Sequence, residues 1–277
     1  MAAVDPRDDP ASVLAAERVL LELWTVLAGF ADALTIVGGS APPLLTGDRA
    51  EDPYIGTLDV DLVVDPISVP DEAYRTIAEL LRQRGYAQLG QPFRWLRSVE
   101  IEGRSIDVEV DLLAPASPRS GASHRHERIG GEPLARRTEG AELVRGGCVE
   151  RAISGVLPDG RRHRVSVRVA TPATLVVLKA LAMGQRDKAK DAYDIDYVLR
   201  HVGIGEVAAG IHEFGNVEPV RKAVVVLTEK FSSIDAIGPT SVAQYRRAPL
   251  GSPEADQLQA LAYARVRQLL GPLRGDP

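Results

Sequence analysis

Two stretches decide how this chain folds: Ile36-Val37-Gly38-Gly39-Ser40, and after a short connection Thr57-Leu58-Asp59-Val60-Asp61-Leu62-Val63-Val64. The first is an apolar strand that breaks into a Gly-Gly-Ser turn. The second is an apolar strand interrupted by two aspartates. Side chains two apart on a strand share a face, so Asp59 and Asp61 project from the same side. Carboxylates that close repel unless a cation lies between them. Mg²⁺ suits such a pair, because it takes oxygen ligands and usually shares them with substrate phosphates. A strand passing through Gly-Gly-Ser into a helix turns backbone N–H groups and a hydroxyl toward any anion placed there. Each signal also has a plain structural reading: a strand with one wet face, and a tight turn with a serine cap.

Further along, residues 105–113 alternate strictly. Ile106, Val108, Val110 and Leu112 lie on one face and Asp107, Glu109 and Asp111 on the other, which predicts a strand. Three acids in a row repel if all are buried, so one is expected at the site and the others in water.

The remaining elements follow from periodicity and breakers. Val13, Leu14, Leu20, Leu21, Leu23, Trp24 and Leu27 predict an amphipathic helix from Ala11 to about Phe30, started by Asp9 before Pro10 and ended near Gly29. Residues 1–10 are expected to fray. Leu34–Val37 is a short buried strand. Ser40 is expected to N-cap a short helix that keeps Pro42 and Pro43 in its first turn and closes at Gly47-Asp48. Asp65-Pro66 and Val69-Pro70 mark a loop, Asp71–Arg84 a helix stopped by Gly85, Phe93–Ile101 a strand, and Glu102-Gly103 a turn. Residues 114–123 read as a linker. Asp159-Gly160 sits between two strand-like runs, a hairpin signal. Thr171-Pro172 starts a helix that Gly184 interrupts. A second helix runs from Lys188 to His201, and residues 204–270 are helical with breaks at Gly215, Gly238-Pro239 and Pro249–Pro253; the last helix ends at Gly271-Pro272. The fold class is therefore α+β, with three regions: 1–115, a basic linker and hairpin region at 116–170, and a mostly helical 171–277.

Composition narrows the functional classes. The chain has 277 residues, 45% hydrophobic and 26% charged, which is ordinary for a globular protein. One cysteine, Cys148, excludes an internal disulfide and a multi-cysteine metal site, and fits a reducing compartment. No basic segment leads into an apolar run at the N-terminus, so no signal peptide is read there. Apolar runs such as Val224–Leu227 are too short to cross a membrane. The expectation is a cytoplasmic protein with no membrane partner. The net charge of −5 argues against a general nucleic-acid coat protein. Residues 119–168 nevertheless hold eleven Arg and no Lys against six Asp and Glu, a basic section that suits either a solvated surface or a polyanion contact. His124 and His126 lack partner acids at ligand spacing and read as solvated; Cys148 reads as structural.

In this order and spacing the signals resemble the DNA polymerase β-like nucleotidyltransferase superfamily: strand, Gly-Gly-Ser, helix, Asp-x-Asp on the next strand, and an acid on a later one. Within it the chain is most similar to the AbiEii-type nucleotidyltransferases, toxins of bacterial toxin–antitoxin and phage-defence systems. Thr171–Ala182, with Lys179 in an apolar helix, followed by Arg186-Asp187-Lys188-Ala189-Lys190-Asp191-Ala192-Tyr193-Asp194, is similar to that family's helix–loop–helix. The resembling segments are 36–64, 105–115 and 170–200. The sequence departs from the family at Tyr54-Ile55-Gly56-Thr57, where Arg and Ser are common, and at Pro42-Pro43, where the pattern runs smoothly into helix.

The resemblance implies a polymerase β-like mixed sheet with flanking helices and a helical C-terminal domain. It implies transfer of NMP from an NTP with Mg²⁺ to an RNA acceptor, the tRNA 3′ end included, or to a protein hydroxyl, with a cognate antitoxin as partner. Gly38, Gly39 and Ser40 would hold the β- and γ-phosphates, and Asp59, Asp61 and a third acid would bind metal. Asp111 is preferred as that acid, since Leu112-Leu113 and Pro115 follow it as such residues often do in the superfamily; Asp107 is the reserve. Lys179, Arg186 and Lys188 would neutralise the triphosphate, and Asp191 and Asp194, on one helix face, would orient lysine or nucleotide. The alternatives are a catalytically silent nucleotide- or partner-binding module, and an antibiotic nucleotidyltransferase with the same chemistry on a small acceptor.

Overall fold

The structure is a computed structural model. It describes residues 9–65, 71–116, 126–129 and 132–274. The readings placed on residues 1–8, on the loop 66–70, on 117–123 and on His124, and that on the side chain of His126, lie outside what is described. The chain divides into two compact units: residues up to Ala41 with Ile55–Ala170, and Pro42–Tyr54 with the residues from Thr171 onward.

The first unit is built on one mixed sheet of nine strands. In chain order its elements are α1 (Pro10–Val26), β1 (Leu34–Val37), and, once the chain has passed through α2 (Ala41–Thr46) of the other unit, β2 (Asp59–Val64), α3 (Asp71–Gln83), β3 (Ala87–Gln88), β4 (Arg94–Ile101), β5 (Arg104–Pro115), β6 (His126–Ile129), β7 (Glu132–Thr138), β8 (Cys148–Val156) and β9 (Arg162–Ala170). The strand order is β3-β4-β5-β2-β1-β9-β8, with β7 on the far end of β5 and β6 on β7. β1 and β2 are antiparallel, whereas β2–β5 and β1–β9 are parallel. Helix α1 packs against β2, β4, β5, β8 and β9. It starts as its sequence dictates, with the Asp9 carboxylate accepting from the Ala11 N–H and Pro10 in the first turn. It ends at Val26 and not near Phe30, because residues 28–33 tighten into a 3₁₀ segment.

The second unit is helical: α2, the loop to Tyr54, α4 (Pro172–Gln185), α5 (Ala189–His201), α6 (Ile204–Glu213), α7 (Glu218–Lys230), α8 (Ile237–Tyr245) and α9 (Pro253–Arg274). Three breakers act differently from expectation. Gly184 does not interrupt α4, which runs to Gln185; a Cβ there would meet Val226 Cγ2 at 2.9 Å, so the glycine makes room for α7. Gly238 and Pro239 lie inside the first turn of α8, where a missing N–H costs little. Pro272 sits inside α9, which continues to Arg274.

Candidate active site

In the first unit β1 delivers the glycine turn onto β2. Val37 lies opposite Asp61, so the chain leaving β1 turns beside the Asp61 side chain. Gly38 makes that turn with φ +64°, and a Cβ on it would stand 2.7 Å from Asp61 Cγ and 2.8 Å from Asp61 Cβ. Only glycine permits both the left-handed backbone and the close approach. Ser40 is buried, and its hydroxyl donates to the Asp59 carbonyl at 3.3 Å. That bond ties the turn to the start of β2 and replaces the expected N-cap. Gly39 is buried in the same 3₁₀ turn. The Thr57 hydroxyl donates to the Asp59 carboxylate.

The parallel pairing of β2 with β5 sets Asp59 beside Glu109 and Asp61 beside Asp111. Four carboxylates therefore share one face of two neighbouring strands. Asp107 lies on the same face of β5 but before the first residue paired with β2, and opposite Ser98 on β4, whose hydroxyl donates to it at 2.5 Å. Of the three sequence candidates, Asp111 and Glu109 flank the aspartate pair.

Arg94 was not anticipated. The antiparallel β4–β5 pairing puts it opposite Asp111. Its Nε and Nη2 donate to both Asp111 oxygens at 2.8 Å each, and its Nη1 lies 2.9 Å from Glu109 Oε2. These bonds to Asp111, together with the charges of Glu109 and Asp59, hold the guanidinium still more firmly protonated than usual. The sequence did contain the signal: once Glu102-Gly103 is the two-residue turn of a hairpin, counting back along both strands brings Arg94 to Asp111.

The donor set suits a hard cation. Asp59 and Asp61 are oxygen ligands at strand pitch, and Mg²⁺ characteristically takes one or two protein carboxylates plus phosphate oxygens. Asp111 fits by chemistry and position, but both of its oxygens are engaged by Arg94. Among the described residues no group of three or more His, Cys, Asp or Glu side chains is placed to hold a metal ion.

The second unit gathers the helix–loop–helix residues into a buried ionic network. Lys179 on α4 places its Nζ 3.1 Å from Asp191 Oδ1 and 2.5 Å from Asp194 Oδ2, with both carboxylates almost wholly buried. Arg186 donates to both Asp191 oxygens, at 3.0 and 3.2 Å. Lys190 reaches Asp194 at 3.1 Å, so this pair, which could have been a surface contact, closes over a buried acid. Burial pushes the Asp191 pKa up, and Lys179 and Arg186 more than offset it, so the carboxyl ionises below the ordinary range. Lys188 is exposed at the N-cap of α5.

Tyr54, one of the departures from the family pattern, belongs to this network. Its hydroxyl donates to Asp194 Oδ1 at 2.6 Å and accepts from Lys190 at 2.7 Å. Burial and the Asp194 charge raise its pKa well above that of a free phenol. The loop before it is pinned by Asp52, which accepts from Arg200 and Arg246 at 3.0 Å each.

A cavity of about 290 Å³ lies at the other end of β1, lined by residues that include Asp32, Asp65, Arg145 and Arg168. Its arginines are committed. Arg145 clasps Asp65 at 2.9 and 3.1 Å. Arg168 bonds the Asp32 carbonyl and donates to Cys148 Sγ at 3.0 and 3.3 Å.

With both clusters in view, the comparison with known families falls on the second: residues 142–276 match the family described as Nucleotidyl transferase AbiEii toxin, Type IV TA system. Over this stretch the chain is similar to the AbiEii nucleotidyl transferase toxin domain. The AbiEii family is one of nucleotidyl transferases, so the chain is an enzyme of that class. The matched span holds β8, β9 and α4–α9, and with them Lys179, Arg186, Lys188, Asp191 and Asp194. Gly38–Ser40, Asp59, Asp61, Arg94 and Asp111 precede the AbiEii span. No curated protein matches the chain. Among the described residues no helix is long and apolar enough to cross a membrane.

Proposed function

We propose that the chain is the nucleotidyltransferase toxin of a toxin–antitoxin pair, moving NMP from an NTP to an RNA or protein hydroxyl with Mg²⁺. The observation that carries this reading is the seating of Gly38 against Asp61, which unites the glycine turn and the aspartate pair that the chemistry requires. Gly38, Gly39 and Ser40 form the phosphate-binding turn: the glycines leave the backbone unshielded by side chains, and the Ser40 bond to β2 keeps the turn beside the carboxylates. Asp59, Asp61 and Asp111 are the metal ligands. A divalent ion held by them would supply charge neutralisation to the phosphates of a bound nucleotide. Glu109, beside Asp59, about two-fifths exposed and paired with Arg94, would accept the proton of the attacking hydroxyl.

In the helical unit, Lys179 is lodged between Asp191 and Asp194 and serves as a positioned charge. Arg186 and Lys188 are the more exposed cations available to a polyanion. The arginine-rich 119–168 section is the proposed acceptor contact, and the family's toxin–antitoxin setting supports a cognate antitoxin as partner.

The test is incubation of the protein with each labelled NTP, Mg²⁺ and total RNA or cell lysate. Transfer of label to RNA or protein, with pyrophosphate released and both lost in Asp59→Ala, is the expected result. No labelled product with any NTP, together with unchanged toxicity of Asp59→Ala, overturns the reading. Nucleotide uptake in calorimetry without pyrophosphate release would instead mark a silent binder.

A further inference from the structure

The carboxylate face carries its own counter-ion. Asp59, Asp61, Glu109 and Asp111 crowd two adjacent strands, and Asp111 is only 6% exposed. A buried carboxylate needs a compensating charge. Arg94 supplies it through a bidentate grip on Asp111 and a contact to Glu109. The two ends of that grip are unequal. The Asp111 side chain is 8% exposed, whereas that of Arg94 is 34% exposed. The carboxylate is fixed in the sheet, while the guanidinium sits on a long side chain with a path to solvent. Charge balance here therefore has two solutions, an arginine or an added cation, and they compete for the Asp111 oxygens.

We propose that Arg94 is a displaceable internal cation, and that Asp111 becomes a metal ligand only when the Arg94 guanidinium releases it. The inference rests on the reading of Asp59, Asp61 and Asp111 as metal ligands. It makes Arg94 a positioning residue with two states. Held on Asp111, it offsets part of the negative charge of the acidic face when no nucleotide is present. Released, it carries its positive charge to the mouth of the same site, where an arriving phosphate can accept its hydrogen bonds. A ligand that brings both a divalent ion and phosphate oxygens compensates both ends of the broken pair, whereas an ion alone compensates only Asp111. Ion binding without nucleotide is therefore weak in the native protein.

The test reads ion binding and not activity. Mn²⁺ affinity is measured by titration with electron paramagnetic resonance on the full chain, comparing wild type with Arg94→Gln and Arg94→Lys, alongside melting temperatures with and without Mg²⁺. Arg94→Gln should bind Mn²⁺ about tenfold more tightly, as removal of a unit charge near a bound dication requires. It should melt lower than wild type without divalent ions and gain more from Mg²⁺. Arg94→Lys loses the bidentate fork but keeps the charge, and should show a smaller gain; it carries the test if the glutamine variant does not fold. Equal or weaker Mn²⁺ binding in both variants overturns the proposal and leaves Arg94 a fixed brace for Asp111. Failure of all three proteins to bind Mn²⁺ overturns this inference and the metal part of the proposed function together. Mn²⁺ binding in the predicted order without nucleotidyl transfer overturns the function alone.

Discussion

Replacing Gly38 by alanine tests the contact on which the site is built. The new Cβ would meet Asp61 Cγ at 2.7 Å and Asp61 Cβ at 2.8 Å. A side-chain rotation moves Cγ away, but Cβ is fixed to the β2 backbone. Restoring an ordinary contact of 3.4 Å therefore requires β1 and β2 to separate where Val37 pairs with Asp61. Forcing atoms into a packed site costs about 1–3 kcal/mol, and holding alanine in a left-handed conformation costs about 1–2 kcal/mol more. The expected loss is about 2–5 kcal/mol, or a fall of about 5–20 °C in the melting of the sheet unit.

Gly103→Ala is the control. That glycine has φ +77° in the β4–β5 turn of the same unit, with nothing within 4 Å of its would-be Cβ, so it feels the backbone strain alone. Urea denaturation of both variants isolates the contact by difference, and Mn²⁺ titration reports whether Asp61 has been displaced. Gly38→Ala should lose more stability than Gly103→Ala and bind Mn²⁺ more weakly. Equal losses in the two variants, with Mn²⁺ binding intact in Gly38→Ala, would refute the reasoning.

The helical unit yields two further expectations. Lys179→Met strips Asp191 and Asp194 of a shared partner while leaving Arg186, Lys190 and Tyr54 in place. It should cost about 3 kcal/mol in urea denaturation, the low end for a broken buried pair, and a loss below about 1 kcal/mol would mean that the lysine is solvated. The depressed pKa of Asp191 sets a pH dependence: a carboxyl whose folded pKa lies below its ordinary 3.8 stabilises the fold above that value and loses the contribution as pH falls through the folded pKa. Urea midpoints should hold level in this respect from pH 7 to about 5 and decline below about 4, with the decline reduced in Lys179→Met; parallel acid declines in both proteins would count against the network.

Local chemistry was legible where the signal and its consequence were neighbours in sequence. β1 spans Leu34–Val37 as its apolar run implied. Thr171 caps α4 by accepting from the Thr174 N–H, and the Asp159-Gly160 turn joins two paired strands. Strands β6 and β7 were missed because their sequences, short and charged, with Pro133 inside β7, lack alternation. At the site, the glycine turn and the aspartate pair could be named from sequence because β1 and β2 are close in the chain. The preference for Asp111 over Asp107 and Glu109 rested on resemblance alone, since the residues themselves do not say which strand lies beside β5 or in what register. The breakers failed for a related reason: whether Gly184 ends a helix depends on Val226 packing against it, a neighbour 42 residues away that local propensity does not register.

The family match and the carboxylate face occupy different parts of the sequence, yet they meet in one sheet. β9 lies within the AbiEii span and β1 outside it, and the two pair in parallel with Ile36 beside Val169. β1 is the strand that ends at Gly38, and its other neighbour is β2, which carries Asp59 and Asp61. A segment beginning at residue 142 therefore supplies one wall of the strand that aims the glycine turn. Its buried positions, Val167, Val169 and Ala170, belong to the core on which that turn is mounted. The carboxylate geometry thus depends on the β1–β9 pairing, and a substitution that disrupts it at Val169 should disturb Gly38 without touching any acid of the site.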